Sequence, residues 1–145
     1  MQLKDYFSNL NQKQSKVFFS GISSNSSKVK KNDIFFAIRG NNIDGNKFIP
    51  EAIKKGCKII ITEKRIKKSQ NGVIFIRTKN VRKLLAEVSF KIYNKMPKNL
   101  IAVTGTNGKS SIANFYYQIL SLNNKNVASI GTLGVKSNNS NLKLS

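Results

Sequence analysis

The residues Leu100-Ile101-Ala102-Val103 form an apolar, largely β-branched run that gives way at once to glycine. Then come Thr104-Gly105-Thr106-Asn107-Gly108-Lys109-Ser110-Ser111, and after them a helical pattern. That order predicts a strand, a tight loop and a helix N-terminus, and it commits the chain to α/β architecture. Such a loop points several backbone N–H groups into one concavity, backed by the positive end of the helix dipole. It suits a polyphosphate. The candidate nucleotide-binding residues are therefore Gly105, Thr106, Asn107, Gly108, Lys109, Ser110 and Ser111. Lys109 is the cation that can offset the outer phosphates, and the Ser110 hydroxyl is the candidate ligand of an accompanying Mg²⁺. The commonest spacing, G-x-x-x-x-G-K-[ST], calls for glycine where this chain has Val103. The shorter G-T-N-G-K-S-S leaves an ordinary strand–turn–helix with a surface lysine as the alternative.

The rest of the chain repeats the alternation of strand and helix. Leu3, Tyr6, Phe7 and Leu10 have helical spacing. A strand is predicted over Lys16–Ile22, closed by the serine- and asparagine-rich turn 23–27. Ile34–Ile38 is a continuous apolar run fit for a strand covered on both faces. A two-glycine loop, Arg39–Asn46, leads to a short helix over Phe48–Lys55, with Pro50 in its first turn and Gly56 ending it. Lys58–Thr62 and Val73–Arg77 read as further strands. Val81, Leu84, Leu85, Val88 and Ile92 mark an amphipathic helix over Val81–Asn94. Beyond the linker Met96–Asn99 lie the phosphate-loop segment, a helix over Lys109–Leu122 and a strand over Val127–Ile130. The stretch from Ser137 to Asn141 is polar. The class is α/β with largely parallel sheets. A first unit of 1–98 can build its own sheet, whereas 99–145 supplies one β-α-β unit, too little to bury both faces. The chain is accordingly expected to be the front end of a longer protein.

Composition removes several function classes. No histidine is present among the 145 residues, so this chain holds no His-based triad and no His-ligated zinc. The single cysteine, Cys57, lies in an apolar run and reads as a small buried hydrophobe. No apolar run reaches the ~18 residues of a membrane span, and the N-terminus, with Lys4 and Asp5, has no signal-peptide pattern. The net charge of +20 raises nucleic acid as a partner. The lysines are scattered, however, only four of 26 cationic residues are arginine, and no aromatic-interleaved basic motif occurs. Solvated surface lysines are the plainer reading.

Several segments together resemble the Mur ligase family, the ATP-dependent amide-forming enzymes of peptidoglycan precursor synthesis. They are Asn25-Ser26-Ser27, Asn32-Asp33-Ile34-Phe35-Phe36-Ala37, Gly40-Asn41-Asn42-Ile43-Asp44-Gly45-Asn46-Lys47-Phe48-Ile49, Ala52–Gly56, Val81–Ala86, Val103–Ser111 and Ile130-Gly131-Thr132. Thr106 and the Ile-Gly-Thr segment favour the member that adds the third residue of the stem peptide, with the member adding the terminal dipeptide as an alternative, and a stand-alone nucleotide- or UDP-sugar-binding module as another. The resemblance implies a UDP-sugar-binding α/β domain over 1–98 and the incomplete start of a P-loop ATPase domain over 99–145. It implies ATP and Mg²⁺ as cofactors, and as partners a UDP-N-acetylmuramoyl-dipeptide and a diamino acid, diaminopimelate or lysine. It also implies an acyl-phosphate route with Lys109 as the catalytic cation, a cytoplasmic, monomeric full-length enzyme, and no specific nucleic-acid or membrane partner. Ser24, Ser26, Asn41, Asn42 and Ile43 occupy the positions that contact the UDP portion. Two departures stand out. The family's Asp-Ser-Arg is Asn25-Ser26-Ser27 here, and its glycine ahead of Asp33 is Asn32.

Overall fold

A computed structural model describes residues 1–8, 10–41, 43–66 and 72–142. The chain divides into two compact units, Met1–Met96 and Pro97–Ser145.

The first unit carries four parallel strands in sequential order: β1 (Ile22–Ser23), β2 (Ile34–Phe36), β3 (Ile59–Thr62) and β4 (Ile74–Arg77). Three helices accompany them, α1 (Gln12–Ser15), α2 (Ile49–Lys54) and α3 (Val81–Ile92). The register aligns Ile34 with Ile59 and Ile59 with Ile74. Side chains alternate between the two faces of a strand, so the apolar runs split into two cores. Ile34, Phe36, Ile59 and Ile61 pack with Leu3, Phe7, Phe19, Val81 and Val88. Phe35, Ala37 and Ile60 pack with Ile49, Ala52, Cys57 and Val73. Burial on both faces explains why β2 and β3 read as unbroken apolar runs, and each such Ile or Phe stabilises the unit by about 1.5–3 kcal/mol.

Local chemistry sets the helix ends. Asn80 caps α3 by accepting from Lys83 N at 2.9 Å. The Glu63 carboxylate takes the Val81 N–H at 3.2 Å, a favourable place for negative charge. Pro50 opens α2, and Gly56, at φ +91°, closes it.

Two expectations for this unit change. Among the described residues of 1–10 the helical element is a 3-10 turn at Leu3–Asp5 instead of an α-helix. Leu3 N donates to Val17 O at 2.9 Å and Gln2 bridges Phe18, so the segment is held along the chain that follows. The spacing of Leu3 and Phe7 correctly marked inward-facing residues, because one helical turn of either kind presents them. The strand expected over Lys16–Ile22 is reduced to that bridge and the two residues of β1.

The second unit comprises α4 (Lys109–Leu122) and the strands β5 (Ala128–Gly131), β6 (Gly134–Ser137) and β7 (Ser140–Leu142). These three strands pair antiparallel, in sequential order. The polar stretch 137–141 therefore belongs to a hairpin. Residues 100–104 lie in no ladder among the described residues, which corrects the β-α-β expectation. A parallel pairing needs a neighbour that crosses over through a helix. Here β5 finds its partner locally, in β6.

Candidate functional site

All four strands of the first unit run parallel, so their carboxyl ends share one edge of the sheet. Ser24 and Ser26 leave β1 there, and Asn41 and Ile43 leave β2. Ligands of open α/β sheets bind outside this edge. Asn42 lies outside the described residues.

The turn after β1 is tightly bonded. Ser23 Oγ donates to Asn25 O at 2.8 Å, and Asn25 Oδ1 accepts from both Ser27 N (2.9 Å) and Ser27 Oγ (2.8 Å). Asn25 thus caps the 3-10 turn Ser26–Lys28, as an aspartate would. Ser24 is exposed, whereas Ser26 is buried. The Ser26 hydroxyl donates to Glu51 Oε2 at 2.6 Å. The other oxygen, Glu51 Oε1, meets Lys55 Nζ at 2.9 Å, and that ammonium also reaches Ser26 O at 3.0 Å. The Ser26 hydroxyl and then Lys55 hold the Glu51 carboxyl below its ordinary range. Its one proton is thereby committed to a charged acceptor, and the Ser26 Oγ lone pairs remain as acceptors.

The loop after β2 is clamped at both ends. Gly40 N donates to Ile43 O and Gly45 N to Ile38 O, each at 2.9 Å. Gly45 is required by close approach: a Cβ there would overlap the Ile38 carbonyl oxygen and stand 2.8 Å from Ile38 N. Asp44 accepts from Asn46 N (2.9 Å), Asn46 Nδ2 (2.7 Å) and Lys64 Nζ (2.8 Å). Lys64 first, then Asn46, hold its carboxyl far below the usual range. Thr62, fully buried at the end of β3, donates to Asn46 Oδ1 at 2.5 Å. Asn41 and Ile43 project from this clamp into solvent. Asp33 Oδ2 takes Lys30 N at 2.8 Å. Asn32 beside it adopts φ +65°, the region that favours glycine and that asparagine tolerates best among the others. The Asn32 departure therefore preserves the backbone turn.

In the second unit the candidate loop leads directly into α4. Gly105 (φ +147°) and Gly108 (φ +75°) both occupy the region that favours glycine. Gly108 is the N-cap residue, and no side chain caps the helix, so the orphan N–H groups of its first turn are left to an external acceptor. Lys109 Nζ folds back onto the carbonyls of Gly105 and, at 3.1 Å, Thr106. Ser110 Oγ faces Thr132 Oγ1 at 3.4 Å. Positive-φ glycines, free N–H groups and a lysine reaching the same loop fit a polyphosphate. A divalent cation held with the phosphates would meet a hydroxyl of this loop. Ser110 would supply a hydroxyl and the phosphate oxygens the charge.

Sequence reading missed Glu51, Lys55, Asp44 and Lys64, which brace the candidate loops. The i,i+4 spacing of Glu51 and Lys55 was the available signal. An open groove of about 500 Å³ between Asn11–Gln14 and Ile74–Phe75 contains none of the candidates. No helix among those residues is long and apolar enough to cross a membrane.

The first unit is an α/β module, a parallel sheet covered on both faces with its candidate loops at the carboxyl edge. Residues 19–93 match the family model described as Mur ligase family, catalytic domain, and the chain belongs to the Mur ligase family. The curated relatives include UDP-N-acetylmuramoyl-L-alanyl-D-glutamate--2,6-diaminopimelate ligases. That of Rickettsia prowazekii is 44% identical over 128 residues, covering 88% of this chain and 26% of the relative. That of Rickettsia montanensis is 49% identical over 116 residues, 80% of this chain and 24% of the relative. That of Clostridioides difficile is 38% identical over 121 residues, 82% and 25%. The chain thus spans about a quarter of the length of these relatives. A solved structure carrying the same ligase name has a TM-score of 0.74 at 22% identity, covering 97% of this chain and 29% of that one. It shares the fold. The MurF ligase from Thermotoga maritima in complex with ADP has a TM-score of 0.56 at 28% identity, covering 72% and 23%.

Proposed function

We propose that this chain is the amino-terminal part of an ATP-dependent ligase that joins diaminopimelate to UDP-N-acetylmuramoyl-L-alanyl-D-glutamate. The identity with ligases of that name carries the reading. In it, residues 1–98 hold the UDP portion and residues 99–145 begin the ATP-binding domain. ATP supplies the phosphoryl group that activates the substrate carboxylate. Lys109 would offset charge on the phosphates, the N–H groups of the α4 first turn would orient them, and Ser110 would be the hydroxyl ligand of an accompanying Mg²⁺. Ser24, Ser26, Asn41, Asn42 and Ile43 receive the UDP portion at the carboxyl edge of the sheet. The braces described above keep those loops in place before the ligand arrives, which lowers the ordering cost of binding. In this reading the working protein is cytoplasmic and takes no specific nucleic-acid or membrane partner.

The test is a titration of the ¹⁵N-labelled chain with UDP-N-acetylmuramoyl-L-alanyl-D-glutamate. Amide shifts confined to residues 22–28 and 38–46 are expected. Uridine diphosphate alone should reproduce most of them. Saturable shifts elsewhere, or none at millimolar ligand, would overturn the assignment of these loops.

A further inference from the structure

We propose that Thr132 is a positioning residue for the phosphate loop, orienting the Ser110 hydroxyl so that a lone pair faces the cation. The inference rests on reading 105–111 as a nucleotide site, and adds to it a residue outside the loop motif.

A hydroxyl has one proton and two lone pairs. A serine that ligates Mg²⁺ must turn a lone pair to the metal and direct its proton elsewhere. Carboxylates commonly take on such orienting work around a metal site. A neutral hydroxyl oxygen can take on the same work. Thr132 Oγ1, 3.4 Å from Ser110 Oγ, is in place, and a small rotation of either side chain shortens that separation to a hydrogen bond.

The fold holds the threonine there. Thr132 and Leu133 form the two-residue turn between β5 and β6, fixed by the pairing of Gly131 with Gly134. Gly134 takes φ +101°, which keeps the turn tight. Lys136, on β6, donates to Asn114 Oδ1 at 3.1 Å, one helical turn beyond Ser110. That bond ties the hairpin to the α4 face that carries Ser110. Between them lies a cleft of about 30 Å³ bordered by Ser110, Asn114, Thr132 and Lys136. It has room for about one water. The hairpin is thus a brace for the first turn of α4, and Thr132 is its contact with the candidate metal ligand.

The experiment is an NMR titration of the 145-residue chain with ADP, with and without Mg²⁺, for the parent, Thr132→Val, Thr132→Ser and Ser110→Ala. In the parent, Mg²⁺ should tighten ADP binding. Thr132→Val should lose about five- to tenfold of that gain, the size of one hydrogen bond, while Mg²⁺-free affinity stays unchanged. Thr132→Ser should restore the gain. Combining Thr132→Val with Ser110→Ala should cost no more than Ser110→Ala alone, because the two act through one hydroxyl. A Thr132→Val chain that keeps the full Mg²⁺ gain, or a Thr132→Ser chain that loses it, overturns the proposal. If ADP leaves the 105–111 amides of the parent unmoved under both conditions, the nucleotide-site reading falls and this inference with it. That pattern is distinct from a failure of Thr132 alone.

Discussion

Gly45→Ala should be among the most damaging single-methyl additions in this chain. The new Cβ would overlap the Ile38 carbonyl oxygen, and would lie 2.8 Å from Ile38 N and 3.1 Å from Ala37 C. These are backbone atoms at the end of β2, where Ala37 N is itself bonded to Ile61 O at 2.9 Å, so they yield only by distorting the sheet edge. Overpacking of this kind costs about 1–3 kcal/mol. Displacing Gly45 N from Ile38 O loses a hydrogen bond worth about 1 kcal/mol. Alanine restricts the unfolded chain and returns about 0.4–1 kcal/mol. The net is a loss of about 2–3 kcal/mol. Hydrogen exchange at Ile59–Ile61 reports it: those amides should exchange about 30- to 150-fold faster, at about 1.4 kcal/mol per factor of ten. Gly40→Ala is the graded comparator, since its Cβ would meet one backbone oxygen, Ile43 O, at 3.0 Å. It should lose clearly less. If Gly45→Ala exchanged within threefold of the parent, or no faster than Gly40→Ala, close approach would not be the reason for glycine at this position.

Lys109→Ala should remove nucleotide-dependent shifts at 105–111 and leave binding of the UDP substrate unchanged; loss of both would signal misfolding. The depressed Glu51 and Asp44 carboxyls stabilise the first unit fully above the unfolded carboxylate range near 4. That contribution is lost as pH falls through their lower folded values, so urea midpoints should be flat from neutral pH to about 5 and drop below, and Glu51→Gln should make the drop shallower. Asn32→Gly should be near neutral, whereas Asn32→Val, forced to φ +65°, should cost about 1–3 kcal/mol in urea unfolding; equal stabilities would show that the turn relaxes. Exchange protection at Ile101–Val103, which lie in no ladder, should fall far below that at Ile59–Ile61; equal protection in a monomeric sample would contradict the structure.

What could be read in advance was whatever local pattern decides. Ile34–Phe36 and Ile59–Ile61 are apolar at every step, and a strand covered on both faces accommodates that. The α3 stripe, Val81 to Ile92, had one way to face inward. Gly105 and Gly108, both at positive φ, are a backbone requirement written as residue type. The braces were not legible in the same way. Ser26 to Glu51 spans 25 residues and Thr62 to Asn46 spans 16. In a sequence these are turn formers and a surface ion pair, and only the parallel sheet brings them to one edge.

The contrast between α3 and α4 shows where local pattern stops. Both are amphipathic and both read as helices. Val81 and Val88 of α3 are fully buried because a four-stranded sheet lies beneath them. On α4, the stripe Ile112, Phe115, Tyr116 and Ile119 remains about half exposed, and Leu122 more so. The opposite face, with Ala113, Tyr117 and Leu120, is only partly covered. Periodicity states that a face needs a partner, and it says nothing about whether one exists within reach. Among the described residues of 97–145, β5 pairs locally in a hairpin and 100–104 lie in no ladder. Among the described residues the phosphate loop therefore enters α4 from a segment in no ladder, and Ser110, in the first turn of α4, faces the hairpin turn at Thr132.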